Sequence, residues 1–296
     1  MSAVPLSSLA LGVGESARFN TFFYFATAVA TGIALTLPLI PVEQVGRRFF
    51  ILLSLIAIVF STLALASNGL EIGYFHVACA GLLIAYNVIV PSQTGPDRSL
   101  RREAAEGRTR PILVFVARAL LVIAAACGVA GVLGDALRYP ASLGFPGAQA
   151  PWIAAAFLSS TALLGASATA MVLGHWYLVV RHLSFRPLER LTMALLITIG
   201  LRTIVAAATA FAQGRLWEAS YNDRGPVGFF IGPGIFVLAR AVFGILGPAA
   251  LAWMTWKCVR IQSNQSATGI LYVVVAFVLI GELIAKWFLV NEGLVL

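Results

Sequence analysis

Charged residues are scarce in this sequence. They make up 11% of its 296 residues, whereas hydrophobic residues make up 60%. A soluble domain usually carries about 25% charged residues. So few charges cannot cover a surface that faces water, so lipid must be the solvent for most of the surface. The composition therefore excludes an ordinary soluble domain and predicts an integral membrane protein.

Cysteine and histidine are also rare, with three of each. The cysteines are isolated, and the lack of CxxC and CxxCH motifs argues against iron–sulfur clusters and covalently attached haem. His76 and His175 are expected near opposite faces of the membrane, so one haem cannot bridge them. His175 and His182 lie too close together on one helix to hold a haem between them. Haem is therefore not expected, and no metal site is predicted.

Several motifs of enzymes and binding proteins are missing from the sequence. It contains no phosphate-binding loop, no HExxH zinc motif and no acidic pair suited to general acid–base catalysis. The basic residues stand in short loops between apolar runs, which is a signal of membrane topology, so no nucleic-acid partner is expected. No catalytic residue is assigned, and whether the chain is itself an enzyme stays open.

Eight apolar segments have about the 20 residues that a membrane-spanning helix needs. They predict an all-α bundle of eight transmembrane helices that forms a single domain over residues 1–296. In the fifth segment, the run Gly-Ala-Ser-Ala-Thr-Ala at 165–170 also predicts close packing against another helix. The approximate bounds of the predicted segments are 20–40, 49–67, 72–91, 111–134, 152–180, 191–213, 228–256 and 268–290.

The basic residues in the loops predict the orientation of these segments. The loops on one side carry twelve of them, and the side of the N-terminus carries four. The positive-inside rule places the richer side in the cytoplasm, so both termini are expected outside a bacterial-type inner membrane. The twelve are Arg47, Arg48, Arg98, Arg101, Arg102, Arg108, Arg110, Arg181, Arg186, Arg190, Lys257 and Arg260.

Five charged residues lie inside the predicted segments, and one of them, Arg118, is near enough to the cytoplasmic side for its side chain to reach the head groups. Arg202 and Arg240 each stand about a dozen residues from the end of a segment, which is near mid-bilayer at 1.5 Å per residue. An ionised group there costs about 3 kcal/mol or more. Glu282 and Lys286 lie in the outer half of the last segment, and their spacing predicts a local ion pair. If so, the partners of the two arginines would be backbone carbonyls, aromatic rings, ligand oxygens or a carboxylate of another subunit. The alternative is that Glu282 pairs with the arginines instead, which would join three helices.

The depths of these residues suggest a ligand site in the outer half of the bundle. His76 is expected one turn into the third segment from the outer face, at a depth similar to that of Arg202, Arg240, Glu282 and Lys286. Quinone carbonyls accept hydrogen bonds, quinone reduction needs protons, and the tail needs an apolar slot. These five residues are therefore candidate ligands of a quinone or quinol.

The last segment resembles a known family over about a dozen residues. The run from Ala276 to Lys286, AFVLIGELIAK, resembles the last helix of the membrane-anchor subunits of molybdopterin oxidoreductases, the dimethyl-sulfoxide-reductase anchor and polysulfide-reductase-like families. This chain has Lys286 where those anchors tend to have arginine. The resemblance implies eight helices without haem, a membrane quinol as electron donor or acceptor, and a partner iron–sulfur protein.

Three functions follow as expectations. The first is a membrane subunit of a respiratory or redox complex that binds quinone, alongside lipid and other subunits of the complex. The second is a transporter or channel for a small anion that uses Arg202 and Arg240 for selectivity. The third is a structural or assembly subunit whose charges are paired internally. The quinone-binding subunit requires a cavity that is open to lipid. The anion transporter requires a polar path to both faces of the membrane, and the structural subunit requires no cavity.

Overall fold

A computed structural model of the chain describes residues 20–67, 73–89, 111–142, 150–180, 183–212, 234–292 and 294–295. Almost all of these residues are helical, and none of them forms a strand. Seven of the helices are long and apolar enough to cross a membrane. The predicted class of an all-α, multi-pass membrane protein is confirmed.

Each helix closes its own backbone hydrogen bonds, as an apolar solvent demands. Residues 37–39 form a short 3₁₀ turn directly after the first helix. Residues 242–246 form a π-helical segment between the helices that end at Ala241 and begin at Gly247. The helices are α1 (Thr21–Thr36), α2 (Val42–Val45), α3 (Arg47–Ser67), α4 (Tyr74–Ile89), α5 (Pro111–Ser142), α6 (Ala150–Val179), α7 (Arg186–Ala212), α8 (Ile235–Ala241), α9 (Gly247–Arg260) and α10 (Asn264–Glu292).

Helices α1 and α6 form the centre of the bundle. In α1, 78% of the apolar window is buried, compared with 22% for the window that covers α8 and α9. Helix α1 packs against α3, α5, α6 and α10, while α6 also packs against α7. The α8 and α9 helices therefore lie at the periphery, where most of their side chains face the membrane.

The central pair of helices approaches through two glycines. A Cβ atom added to Gly32 of α1 would lie 2.2 Å from the carbonyl oxygen of Thr161 and 2.7 Å from the amide nitrogen of Gly165. One turn further, the hydroxyl groups of Thr36 and Thr169 share a buried hydrogen bond of 2.6 Å. The small-residue run of the fifth predicted segment is thus a packing surface, as its composition indicates.

The peripheral helix is interrupted between α8 and α9. The π-helical segment Val242–Leu246 ends just before Pro248, which stands in the first turn of α9. Proline cannot donate a hydrogen bond to the carbonyl of Gly244, four residues earlier, and its ring crowds that carbonyl. The wider π turn relieves this crowding, and such turns are frequent at functional sites. The other proline of this segment, Pro233, lies outside the described residues.

We expect replacement of Gly165 by alanine to destabilise the bundle, since the new Cβ would overlap the backbone of Gly32. Overpacking of this kind costs about 1–3 kcal/mol. The matched control is Gly200→Ala on α7, where an added Cβ meets nothing within 4 Å and alanine favours the helix by up to about 1 kcal/mol. Thermal unfolding in detergent measures both, and equal midpoints for the two variants would contradict this packing.

Candidate functional site

A single carboxylate, that of Glu282 on α10, binds two arginines from other helices. Arg202 of α7 donates from Nε to Oε1 at 3.0 Å and from Nη2 to Oε2 at 3.3 Å. Arg240 of α8 donates from Nη2 to Oε1 at 2.8 Å. The Glu282 side chain is fully buried, and both arginines are at most 3% exposed. Charge-assisted hydrogen bonds therefore join three helices inside the membrane.

Two glycines make room for Arg240 in this cluster. A Cβ atom on Gly244 of the π segment would lie 1.5 Å from Nη1 of Arg240. A Cβ atom on Gly281, next to Glu282, would lie 2.2 Å from Cα of Gly244. The π segment and α10 therefore touch backbone to backbone, and the guanidinium group of Arg240 lies over the glycine surface. A larger residue at position 244 would force this guanidinium group to move.

Lys286 does not form the predicted local ion pair with Glu282. Its Nζ atom lies instead 3.6 Å from the centre of the Phe157 ring of α6. The two guanidinium groups already occupy both oxygens of Glu282, and a buried aromatic face attracts a cation. The prediction of an ion pair between Lys286 and Glu282 is therefore wrong. The structure contains the alternative, an internal pairing of Glu282 with arginines from other helices.

Basic residues outnumber acidic ones in the cluster. Arg202, Arg240 and Lys286 are buried basic residues, and Glu282 is the acid that the two arginines share. The Ser160 hydroxyl of α6 lies beside this carboxylate but does not reach hydrogen-bonding geometry. A compensated cluster would need more acceptor oxygens than the described residues supply.

Arg240 keeps two buried donors without an acceptor. Its Nε and Nη1 atoms are shielded from solvent and have no hydrogen-bond partner among the described residues. Buried donors nearly always have a partner, which is often water or a ligand when it is not protein. These two N–H groups are therefore the donors that a further acceptor oxygen would pair with.

A second buried pair lies towards the end of the bundle where α1 begins. Nε2 of His76 on α4 lies 2.8 Å from Oδ2 of Asp135 on α5, and both residues are buried. The imidazole packs on Gly131, where a Cβ atom would lie 2.7 Å from the ring. It also meets the Phe23 ring edge to face, with centroids 5.8 Å apart. His76 is thus held by a carboxylate that the sequence analysis did not include.

Asp135 was missed because the predicted fourth segment ends at residue 134. The helix continues through Ser142, and this extension carries Asp135 into the bundle. A usable signal was present: Gly131 and Asp135 are one turn apart, so a small residue and an acid share one helix face. A histidine at matching depth on the preceding helix completes that pattern.

The five predicted site residues form two groups. Arg202, Arg240 and Glu282 are in direct contact, with Lys286 beside them. Among the described residues, no hydrogen bond connects His76 to that group.

The two other histidines do not join these groups. Nδ1 of His175 shares a hydrogen bond of 2.8 Å with the hydroxyl of Tyr272 on α10, at the end of α6 remote from His76. His182 lies outside the described residues. In the described part of the chain, no three His, Cys, Asp or Glu side chains are grouped as a metal ion requires.

Comparison with known proteins gives no family for this chain. A scan against protein-family models, a search of curated proteins and a search of solved structures each find no match.

We expect Glu282→Gln to cost about 3–5 kcal/mol of stability, because removal of one partner of a buried ion pair leaves the other charges uncompensated. The control is Glu189→Gln, an exposed acid in the first turn of α7, with an expected change within about 0.5 kcal/mol. Thermal unfolding in detergent measures both variants.

A double variant separates this electrostatic effect from a simple packing defect. Arg240→Gln combined with Glu282→Gln removes one of the cations that the first substitution strands, so the two costs should be less than additive. Strictly additive losses would show that Arg240 and Glu282 are not coupled.

Proposed function

We propose that this chain is a membrane subunit of a redox complex and binds a quinone or quinol at the buried charge cluster. The observation that carries the proposal is the pair of unsatisfied donors, Nε and Nη1, on Arg240. A quinone supplies carbonyl oxygens for such donors, and its ring suits an aromatic and apolar surrounding. Arg202 and Glu282 hold Arg240 in place, and Lys286 adds a positive field around the head group.

The position of Arg240 supports a ligand that arrives from the lipid. Its helix, α8, is peripheral, and Ile235 and Leu238 on the other side of that helix are 57% and 59% exposed. Phe236 stacks on Trp287 of α10, with ring centroids 5.5 Å apart. Only one helix thus separates the guanidinium group from the membrane. A lipid-soluble molecule could reach the group over this short distance, whereas a hydrated ion does not usually arrive through lipid.

The small-anion transporter is the second candidate, and the surplus of positive charge is the observation that favours it. A hydrated anion would also need a polar path past the cluster to the other face. On that side, Leu195, Ala252 and Val274 belong to one closely packed apolar core. This core favours the quinone proposal over a channel.

A purely structural subunit would satisfy its buried donors internally. The Arg–Glu pairing fits such a role, whereas the unsatisfied N–H groups of Arg240 do not. We therefore rank the structural or assembly subunit third.

The His76–Asp135 pair suits the proton chemistry of the proposed ligand. Oxidation of a quinol releases protons, and an imidazole paired with a carboxylate is a common proton acceptor. His76 lies two residues after Tyr74, the first residue of α4, which is 88% exposed. The pair thus lies near an exposed end of α4, where released protons would leave.

The resemblance of the segment from Ala276 to Lys286 to the anchor subunits agrees with this proposal. Glu282, in the middle of that segment, is the residue on which the cluster is centred. By the resemblance, the partner would be an iron–sulfur protein that exchanges electrons with the bound quinol. Lys286, where the anchors tend to have arginine, faces an aromatic ring in this chain.

The proposed topology has eight crossings with both termini outside a bacterial-type inner membrane. Phe23 at the start of α1 and Leu289 near the end of α10 belong to one buried cluster, which supports an even number of crossings between them. Helix α4, with 16 described residues, would be the eighth crossing besides the seven long helices. The charge cluster would then lie in the outer half of the membrane.

Arg240→Gln should lower the amount of quinone that co-purifies with the protein by about tenfold, since a hydrogen bond to a charged group contributes about 1.5–3 kcal/mol. Arg118→Gln is the matched control, because Arg118 is exposed on α5 and should not affect quinone content. Lipid extraction and chromatography of the purified protein give the measurement. Absence of quinone from the unaltered protein, or equal content in the Arg240 variant, would refute the proposal.

The orientation can be tested with reporter fusions. Alkaline phosphatase fused after Leu296 should be active, and a fluorescent protein there should stay dark, because the C-terminus is proposed to lie outside. Fusions after Gln262, in the turn between α9 and α10, should behave in the opposite way. A fluorescent C-terminal fusion would reverse the proposed orientation.

A further inference from the structure

A groove lies at the basic end of the bundle, well away from the charge cluster. Its volume is about 230 Å³, and its lining residues come from the end of the first helix and the beginning of α7. Arg190 and Arg202 are twelve residues apart on α7, or about 18 Å along the helix axis. The groove is therefore separate from the proposed quinone site. Its lining consists of Leu39, Ile40, Pro187, Arg190, Leu191 and Ala194.

The groove combines one cation with an apolar wall. Arg190 is the charged residue among its six lining residues, and its side chain is exposed. It makes no ion pair with another described residue, and the neighbouring Glu189 does not line the groove. Leu39, at the end of the 3₁₀ turn, is 61% exposed and forms an apolar side of the groove.

The depth of Arg190 matches the head groups of a bilayer. It lies four residues after the start of α7, or about 6 Å into the helix. A guanidinium group at that depth reaches phosphate, while its aliphatic stem stays among acyl chains. Arg186, one turn earlier on the same helix, adds a second positive charge on the head-group side.

We propose that this groove binds one anionic phospholipid of the adjacent leaflet. The phosphate accepts hydrogen bonds from Arg190, and an acyl chain lies along Leu39, Leu191 and Ala194. Charge complementarity identifies the occupant, because basic recesses between membrane helices on the positively charged side suit anionic head groups. A zwitterionic lipid has the same acyl chains, but the positive group in its head group offsets the phosphate charge that attracts Arg190 and Arg186. This proposal does not depend on quinone binding.

Native mass spectrometry of the full chain in detergent, with added phosphatidylglycerol or phosphatidylcholine, tests the site. We expect one phosphatidylglycerol to be retained in preference to phosphatidylcholine. Arg190→Gln should lower its retention about fivefold, the equivalent of about 1 kcal/mol for one basic residue at the membrane surface. Ala194→Phe, which fills the groove without a change of charge, should lower retention of phosphatidylglycerol as well.

Arg260→Gln is the control, because Arg260 is exposed at the same end of the bundle but lies over the Trp256 ring, with a cation-to-centroid distance of 5.1 Å. The Arg260→Gln variant should retain as much phosphatidylglycerol as the unaltered protein does. Equal retention by the Arg190 variant, or equal retention of the two lipids, would overturn the proposal. Displacement of the lipid by inorganic phosphate at equal concentration would also overturn it, since the site would then take free anions.

Discussion

Sharing of one buried carboxylate between two guanidinium groups is the constraint on which the rest of this structure depends. An isolated charge in hydrocarbon is too costly to persist, so the hydrogen bonds from Arg202 and Arg240 to Glu282 determine how α7, α8 and α10 must pack. Gly244 and Gly281 allow the π segment and α10 to approach closely beside this pairing. The π turn before Pro248 belongs to the same arrangement.

The pairing is incomplete among the described residues, since Arg240 retains two N–H groups without an acceptor. Our proposal of a ligand rests on these two groups. Lys286 adds a further cation whose contact is an aromatic ring. The central helices α1 and α6 pack tightly through small residues, so adaptable space is expected at the periphery, where α8 separates the cluster from lipid. A ligand with acceptor oxygens and an apolar body suits that position.

Much of the fold could be predicted from the sequence, since apolar runs of the right length admit one interpretation in a chain with so few charges. The depths of Arg202, Arg240 and Glu282 followed from counting residues along each run. Which helices are neighbours did not follow, because depth says nothing about position around the bundle. The local pairing of Lys286 failed for this reason: two arginines from other helices reached Glu282. Asp135 was missed because the predicted segment ended at residue 134, eight residues before the helix ends at Ser142.

The most direct test of this account is an experimental density map of the protein extracted with its native lipids. Acceptor density that belongs to no part of the protein should lie about 3 Å from Nε and Nη1 of Arg240. It should continue as an elongated apolar feature between α8 and the membrane. If both nitrogens instead donate to protein carbonyls, with side chains filling the surrounding space, the charge cluster is a structural pairing and binds no ligand.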